Sequence, residues 1–221
     1  MKKLYTTITA ITVFAAATSA QTSFGVTAGV INSNWKGDAL NSLNNVIDLS
    51  QGFITTKSKT GFTIGGYASI PVSDVVSVEP GIAYAQKGYA MQGNLKIDAL
   101  KFLGANASAK VEAHYIDVPL MLKATVANGL NIYAGPQLSY LVKSNLHVNA
   151  GILGISLYNS RLDITDNFNR IDAGVSGGIG YQFSNGLNIK AMYGHGLVKM
   201  DKNENFKAYN RDFKVTVGFT F

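Results

Sequence analysis

Asp212-Phe213-Lys214-Val215-Thr216-Val217-Gly218-Phe219-Thr220-Phe221 are the last ten residues of the chain. Every odd-numbered position in this stretch is large and apolar, and every even-numbered one is polar or small. Alternation of this kind puts two chemistries on the two faces of a β-strand, and it persists only where those faces meet different surroundings. The stretch therefore predicts a strand with one apolar face and one polar face.

Seven further runs repeat the pattern. The first sets Phe24, Val26, Ala28 and Val30 against Ser23, Gly25, Thr27 and Gly29. The next two carry Phe62, Ile64, Ala68 and Ile70, then Val76, Val78, Pro80, Ile82 and Tyr84. A fourth has Ile116, Val118, Leu120 and Leu122 opposite Tyr115, Asp117, Met121 and Lys123. Ile132, Ala134, Leu138 and Tyr140 follow, then Ile171, Ala173, Val175, Ile179, Tyr181 and Phe183, then Leu187, Ile189, Ala191 and Tyr193. Short turns separate some of these runs, at 71–75, 125–129 and 184–186, with the hairpin pairs Asn128-Gly129 and Asn185-Gly186 in two of them. Longer connections fill 32–60, 88–110, 144–170 and 198–210. Short turns alternating with long loops on eight strands predict an all-β, eight-stranded antiparallel up-and-down transmembrane barrel.

Composition and the N-terminus agree with an exported membrane strand protein. Lys2 and Lys3 precede the apolar residues 9–17, and Thr18-Ser19-Ala20 supplies small side chains before Gln21. That is the layout of a secretory leader, so residues 1–20 are expected to be removed after Ala20 and 21–221 to form the barrel domain. Charged residues make up only 14% of the chain, against about 25% in soluble domains. No apolar run is long enough for a spanning helix, which leaves strands as the way across a bilayer. Cysteine is absent, which excludes disulfides and thiolate metal sites. Removing Lys2 and Lys3 takes the formal charge from +6 to +4; no basic cluster accompanies it, so nucleic acid is not an expected partner.

A secreted lipocalin-like barrel is the soluble alternative, with its apolar face inward. It would need a solvated exterior rich in charge, whereas the polar column here is mostly Gly, Ser, Thr, Asn and Gln. The aromatic residues favour lipid. Phe24, Tyr181, Phe183, Phe219 and Phe221 fall at strand ends near the short turns, and Phe62, Tyr84, Tyr140, Tyr193 and Phe213 at the opposite ends. These ten residues are expected to form two girdles around an aliphatic band.

Several segments carry a family resemblance. Val78-Glu79-Pro80, Gln86-Lys87-Gly88, Tyr115-Ile116-Asp117-Val118-Pro119-Leu120 with Lys123, Ala134-Gly135-Pro136 and Tyr193-Gly194-His195-Gly196-Leu197 stand in that order. With the leader and the terminal Phe221, the chain resembles the PorT-like outer-membrane β-barrels of Bacteroidetes-type bacteria, related in architecture to OmpA and OmpX. The resemblance implies an outer-membrane location in a Gram-negative cell envelope, and no settled activity. The last strand with its terminal Phe also resembles the signal read by the barrel-assembly machinery, an expected partner during insertion beside the outer-membrane lipid itself.

Chemistry-bearing constellations are few. His114, His147 and His195 have no second histidine at ligand spacing, and His147 is expected in a long loop. No catalytic, cofactor-binding or metal-binding set is predicted. Gly177-Gly178-Ile179-Gly180 lies inside an alternating strand and is not read as a phosphate loop. Six charges fall on the inward face: Glu79, Asp117, Lys123, Asp172, Lys190 and Lys214. An eight-stranded lumen holds little beyond side chains, so these charges are expected to pair and plug it. In residues 38–47, Leu40, Leu43 and Ile47 share a helical face, which suggests a short loop helix at the mouth. An extracellular partner of the outer loops is left open. Two function classes stand: a non-enzymatic structural or surface-interaction barrel, or a narrow pore or lipid-active enzyme.

Overall fold

The computed structural model describes residues 22–37, 54–94, 106–152, 155–200, 202 and 208–221. The leader and the amphipathic stretch at 38–47 lie outside the described residues. Nine antiparallel strands follow one another: β1 (Ser23–Lys36), β2 (Ile54–Pro71), β3 (Val76–Asn94), β4 (Asn106–Ala127), β5 (Leu130–Ile152), β6 (Ile155–Asp163), β7 (Ile171–Gln182), β8 (Leu187–Gly196) and β9 (Tyr209–Thr220). Eight of them close a ring, β1-β2-β3-β4-β5-β7-β8-β9, with β9 pairing back onto β1. Closure leaves the ring without a free edge, which is the condition for crossing hydrocarbon by strands.

The predicted short turns are where expected. Gly129 and Gly186 take φ of 78° and 91°, the left-handed conformation that tight two- and three-residue hairpin loops need.

The opposite end departs from the sequence reading. Strands were expected to stop near the outer aromatic residues; instead β3, β4 and β5 run on to Asn94, Asn106 and Ile152. Much of the expected loops 88–110 and 144–170 is thus strand. His147 is not in a loop but in β5, paired with Lys110 and Arg161. The ninth strand, β6, was not foreseen. It pairs with the outer half of β5 while β7 pairs with the inner half, Leu130 to Tyr140. A bulge marks the change of partner: His114 faces Lys143 and Tyr115 faces Leu141, leaving Val142 as the extra residue. A turn at Thr165–Asn167 brings the chain back, with the Asp163 carboxylate accepting from the Thr165 N–H at 3.0 Å.

The two faces are inverted relative to a soluble barrel. Val26, Ile64, Val118, Leu138, Ile179 and Val217 point outward and are roughly half exposed, while Thr63, Glu79, Asp117, Asn131, Asp172 and Thr216 point inward and are buried. A lipocalin-like arrangement has the reverse polarity, and the burial of the polar face excludes it. A continuous apolar exterior of this extent marks a lipid contact.

Three of the four prolines sit inside adjacent wall strands, Pro80 in β3, Pro119 in β4 and Pro136 in β5, while Pro71 ends β2. Proline has no N–H to give a ladder. The pairing of β2 with β3 is missing between Tyr67↔Gly81 and Ile70↔Val78. That of β3 with β4 is missing between Pro80↔Leu120 and Ala83↔Asp117, and that of β4 with β5 between Pro119↔Gln137 and Leu122↔Ala134. By antiparallel geometry the absent donors face the carbonyls of Ala68, Gly81 and Leu120, one rung in each of three successive seams.

Candidate functional site: the barrel lumen

The inward charges assemble into two groups. Nearer the short turns, Glu79 is 4% exposed and takes Lys190 at 2.8 Å and Lys123 at 3.5 Å on its two oxygens. The Lys190 ammonium also lies 4.0 Å from the ring centre of Tyr67 and 4.6 Å from that of Tyr133. Below them, Asn188 donates to the Tyr67 hydroxyl, which bonds Thr220 in turn.

Further out, Lys87 and Asp117 are each 2% exposed, and the ammonium donates to Asp117 Oδ1 at 2.9 Å. Asp212 lies 3.8 Å from Lys87 and 3.5 Å from Lys214. Ser139 donates to Asp117 at 2.6 Å, and Lys214 to Gln137 at 3.0 Å. Asp172 does not join an ion pair in this group; it accepts from Asn210 at 2.8 Å, and Asn210 also donates to the Tyr115 hydroxyl. Above this layer Trp35 stacks on Tyr89 at 5.3 Å, with the Phe168 ring tilted against it at 5.5 Å.

All six charges expected in the lumen lie inside it. Sequence reasoning missed two that complete the outer group, Lys87 and Asp212. Period-2 counting would have found both: Lys87 is eight residues from Glu79, and Asp212 is two from Lys214. Lys87 lies beyond Tyr84, where the alternating apolar run ends, yet still within β3. Among the described residues of the two groups, four cations (Lys87, Lys123, Lys190, Lys214) face four carboxylates (Glu79, Asp117, Asp172, Asp212), so the groups together are formally neutral. Pairing at these distances offsets the desolvation that a lone buried charge would suffer.

Gly194 explains part of the Tyr193-Gly194-His195-Gly196-Leu197 segment. A Cβ there would sit 2.9 Å from the Asp212 carboxylate oxygens, so a bare backbone is what admits that carboxylate.

The aromatic residues sort by height. Tyr181 packs edge-on to Phe183 at 4.8 Å, and Phe24 and Phe221 exchange backbone hydrogen bonds near the short turns. At the other end Phe62 lies 5.4 Å from Tyr84, and Tyr193 pairs across the ladder with Phe213. Phe219 and Tyr140 are also outward and exposed. Of the histidines, His114 contacts the Tyr84 hydroxyl and Glu112, and His195 pairs across the ladder with Arg211. Among the described residues no group of three His, Cys, Asp or Glu side chains could hold a metal.

A closed, inverted barrel with a neutral polar interior defines an outer-membrane β-barrel. The sequence matches the family model described as outer membrane protein beta-barrel domain over residues 18–202, and the chain belongs to that family. Among solved structures it is similar to Ail, the attachment invasion locus protein of Yersinia pestis. The two share 13% identity over 90% of this chain and 98% of that one, with a TM-score of 0.44. Neisserial surface protein A is similar at 15% identity over 90% of this chain and 97% of that one, with a TM-score of 0.43. The N-terminal barrel of Pseudomonas aeruginosa OprF follows at 13% identity, 89% and 97% coverage and a TM-score of 0.34. No curated protein matches the sequence.

Proposed function

We propose that this protein is a non-catalytic outer-membrane barrel with a sealed lumen, whose outward strand extensions carry a structural or surface-interaction role. The observation that supports this reading is the cross-lumen set of ion pairs, Glu79 with Lys190 and Lys87 with Asp212, topped by the Trp35–Tyr89–Phe168 stack. An eight-stranded barrel filled this way has no continuous aqueous path. On this reading the ten girdle aromatics sit at the two lipid–water interfaces. The leader is cleaved after Ala20, the assembly machinery inserts the chain, and the affinity is to the PorT-like group.

Conductance tests the central point. The wild-type protein in planar bilayers should show no stable channel, and a persistent opening on the nanosiemens scale would overturn the sealed lumen. Fractionation with outer membranes, and a mature N-terminus at Gln21 by mass analysis, test location and processing separately.

A further inference from the structure

Between the two charge groups the lumen contains a cavity of about 110 Å³. Its lining includes inward residues, Ala83, Met121 and Met192 among them, and also the outward-facing Ile82 with Gly66, Gly81 and Pro119. Ile82 is 59% exposed on the lipid face. The cavity therefore abuts the wall where Gly81 and Ile82 are unpaired on their β4 side opposite Pro119, one step along β3 from the gap at Pro80 on the β2 side.

We infer that this cavity is a binding site for a small apolar group that enters sideways from the bilayer, through the proline-interrupted wall at β3 and β4. The height fits. Gly81 lies five residues along β3 from Val76, roughly 12 Å above the short-turn end for a tilted strand. That is about half of the ~25 Å apolar band, the depth at which acyl chains end.

The lining chemistry fits as well. Most polar groups around the cavity are already engaged with protein, the charged Asp117, Lys190 and Lys214 in ion pairs among them. Glu79 is paired on both oxygens, Thr27 donates to the Val217 carbonyl, Thr63 to the Tyr84 carbonyl and Ser176 to Gln137. Those donors are not aimed at a polar ligand. What faces the space beside the opening is Met121, Met192, Pro119 and Ala83. Apolar cavities of comparable size, about 150 Å³, stay dry and take up benzene or xenon. The occupant is thus an alkyl or aryl fragment, from the end of a lipid acyl chain or from a hydrocarbon dissolved in the membrane.

The test uses the folded full chain in phosphatidylcholine vesicles and two photoreactive probes. One is a phosphatidylcholine with a diazirine at the methyl end of an acyl chain; the other is untethered trifluoromethyl-phenyl-diazirine. After illumination, adducts are mapped by mass spectrometry. Labelling of Met121, Met192 or Ala83 beside Ile82 is expected. Lumenal labelling by the lipid probe alone, the small probe alone, or both identifies the source. Labelling confined to outward side chains with both probes would overturn the proposal. Two variants check the route. Pro119→Val restores the missing N–H, and lumenal adducts should be lost while outward ones persist. Ala83→Leu fills the space from inside and should abolish adducts at Met121 and Met192. Lumenal labelling unchanged in both variants would also overturn the proposal.

Discussion

From β5 through β7, β8 and β9 to β1 the ladders run for eleven, nine, nine and twelve consecutive pairs without a gap. From β2 to β5 each of three ladders is broken at a proline, and the β2–β3 and β4–β5 ladders carry further irregularities at Ser58–Thr63, His114–Tyr115 and Thr125–Ala127. The two half-walls have the same alternation and face the same lipid, so the difference lies in backbone bonding alone. It is matched inside the lumen. Glu79, Lys87, Asp117 and Lys123 come from the interrupted half, and Asp172, Lys190, Asp212 and Lys214 from the continuous one. Three of the ion pairs, Glu79–Lys190, Lys87–Asp212 and Asp117–Lys214, span the two. Where rungs are missing, side chains tie the wall from within.

Cutting those ties should give the largest effect. Lys87→Met removes the cation nearest Asp117 and adjacent to Asp212, and should cost about 3–5 kcal/mol of unfolding stability, nearer the lower figure because Lys214 remains. Lys123→Met should cost less, since Lys123 is more exposed and Glu79 keeps Lys190 at 2.8 Å. Urea unfolding of the reconstituted barrel measures both. In double-mutant cycles with Glu79→Gln, Lys190→Met should show the larger coupling; additivity there would remove the cross-lumen tie from the account.

Exchanging the backbone rule between the halves is the next test. Val215→Pro puts a missing rung into the continuous wall within hydrocarbon, and should cost roughly 2–3 kcal/mol. Pro119→Val supplies a donor to the interrupted wall while loosening the unfolded chain, and should change stability by about 1 kcal/mol or less. Equal and opposite effects in the same urea assay would mean that the prolines are not accommodated where they stand.

The smallest effect belongs to the turn between β6 and β7. Hydrogen bonds from the Thr165 hydroxyl and N–H hold the exposed Asp163 carboxyl below its ordinary value. A depressed carboxyl stabilises the fold above the unfolded value and loses that contribution as pH falls through the folded one. Protection of the Thr165 amide, taken as its exchange rate relative to the intrinsic rate at the same pH, should therefore hold at neutral pH and fall once pH drops below about 4. Asp163→Asn should remove that pH dependence without altering the barrel.

How much of this was legible in the sequence depended on where two environments meet. Inside the bilayer one face is in lipid and one in the lumen, so Val215-Thr216-Val217 and Ile116-Asp117-Val118 declare their orientation by composition. Beyond the outer aromatics both faces of a strand can meet water, and the alternation fades. The outer halves of β3, β4 and β5, and the whole of β6, were hidden for that reason. Lys87 was lost with them, although its parity with Glu79 was there to be counted. Pro80, Pro119 and Pro136 kept the alternation intact while removing backbone donors, a change that side-chain pattern does not register. Which charges meet across the lumen was not readable either, because barrel stagger rather than chain distance sets those contacts.

Closure of the ring by β1 and β9 has a consequence in time. Most other neighbouring strands in the ring are joined by a connection of modest length, but the Thr27 hydroxyl and the Val217 carbonyl that meet at this seam are 190 residues apart. The entropy lost in bringing such distant segments together must be met before any of their twelve pairs contributes. The seam is accordingly the last to zip. Until it does, the growing sheet has two open edges in or beside the membrane, and the wait for that final strand sets the interval over which the chain needs protection.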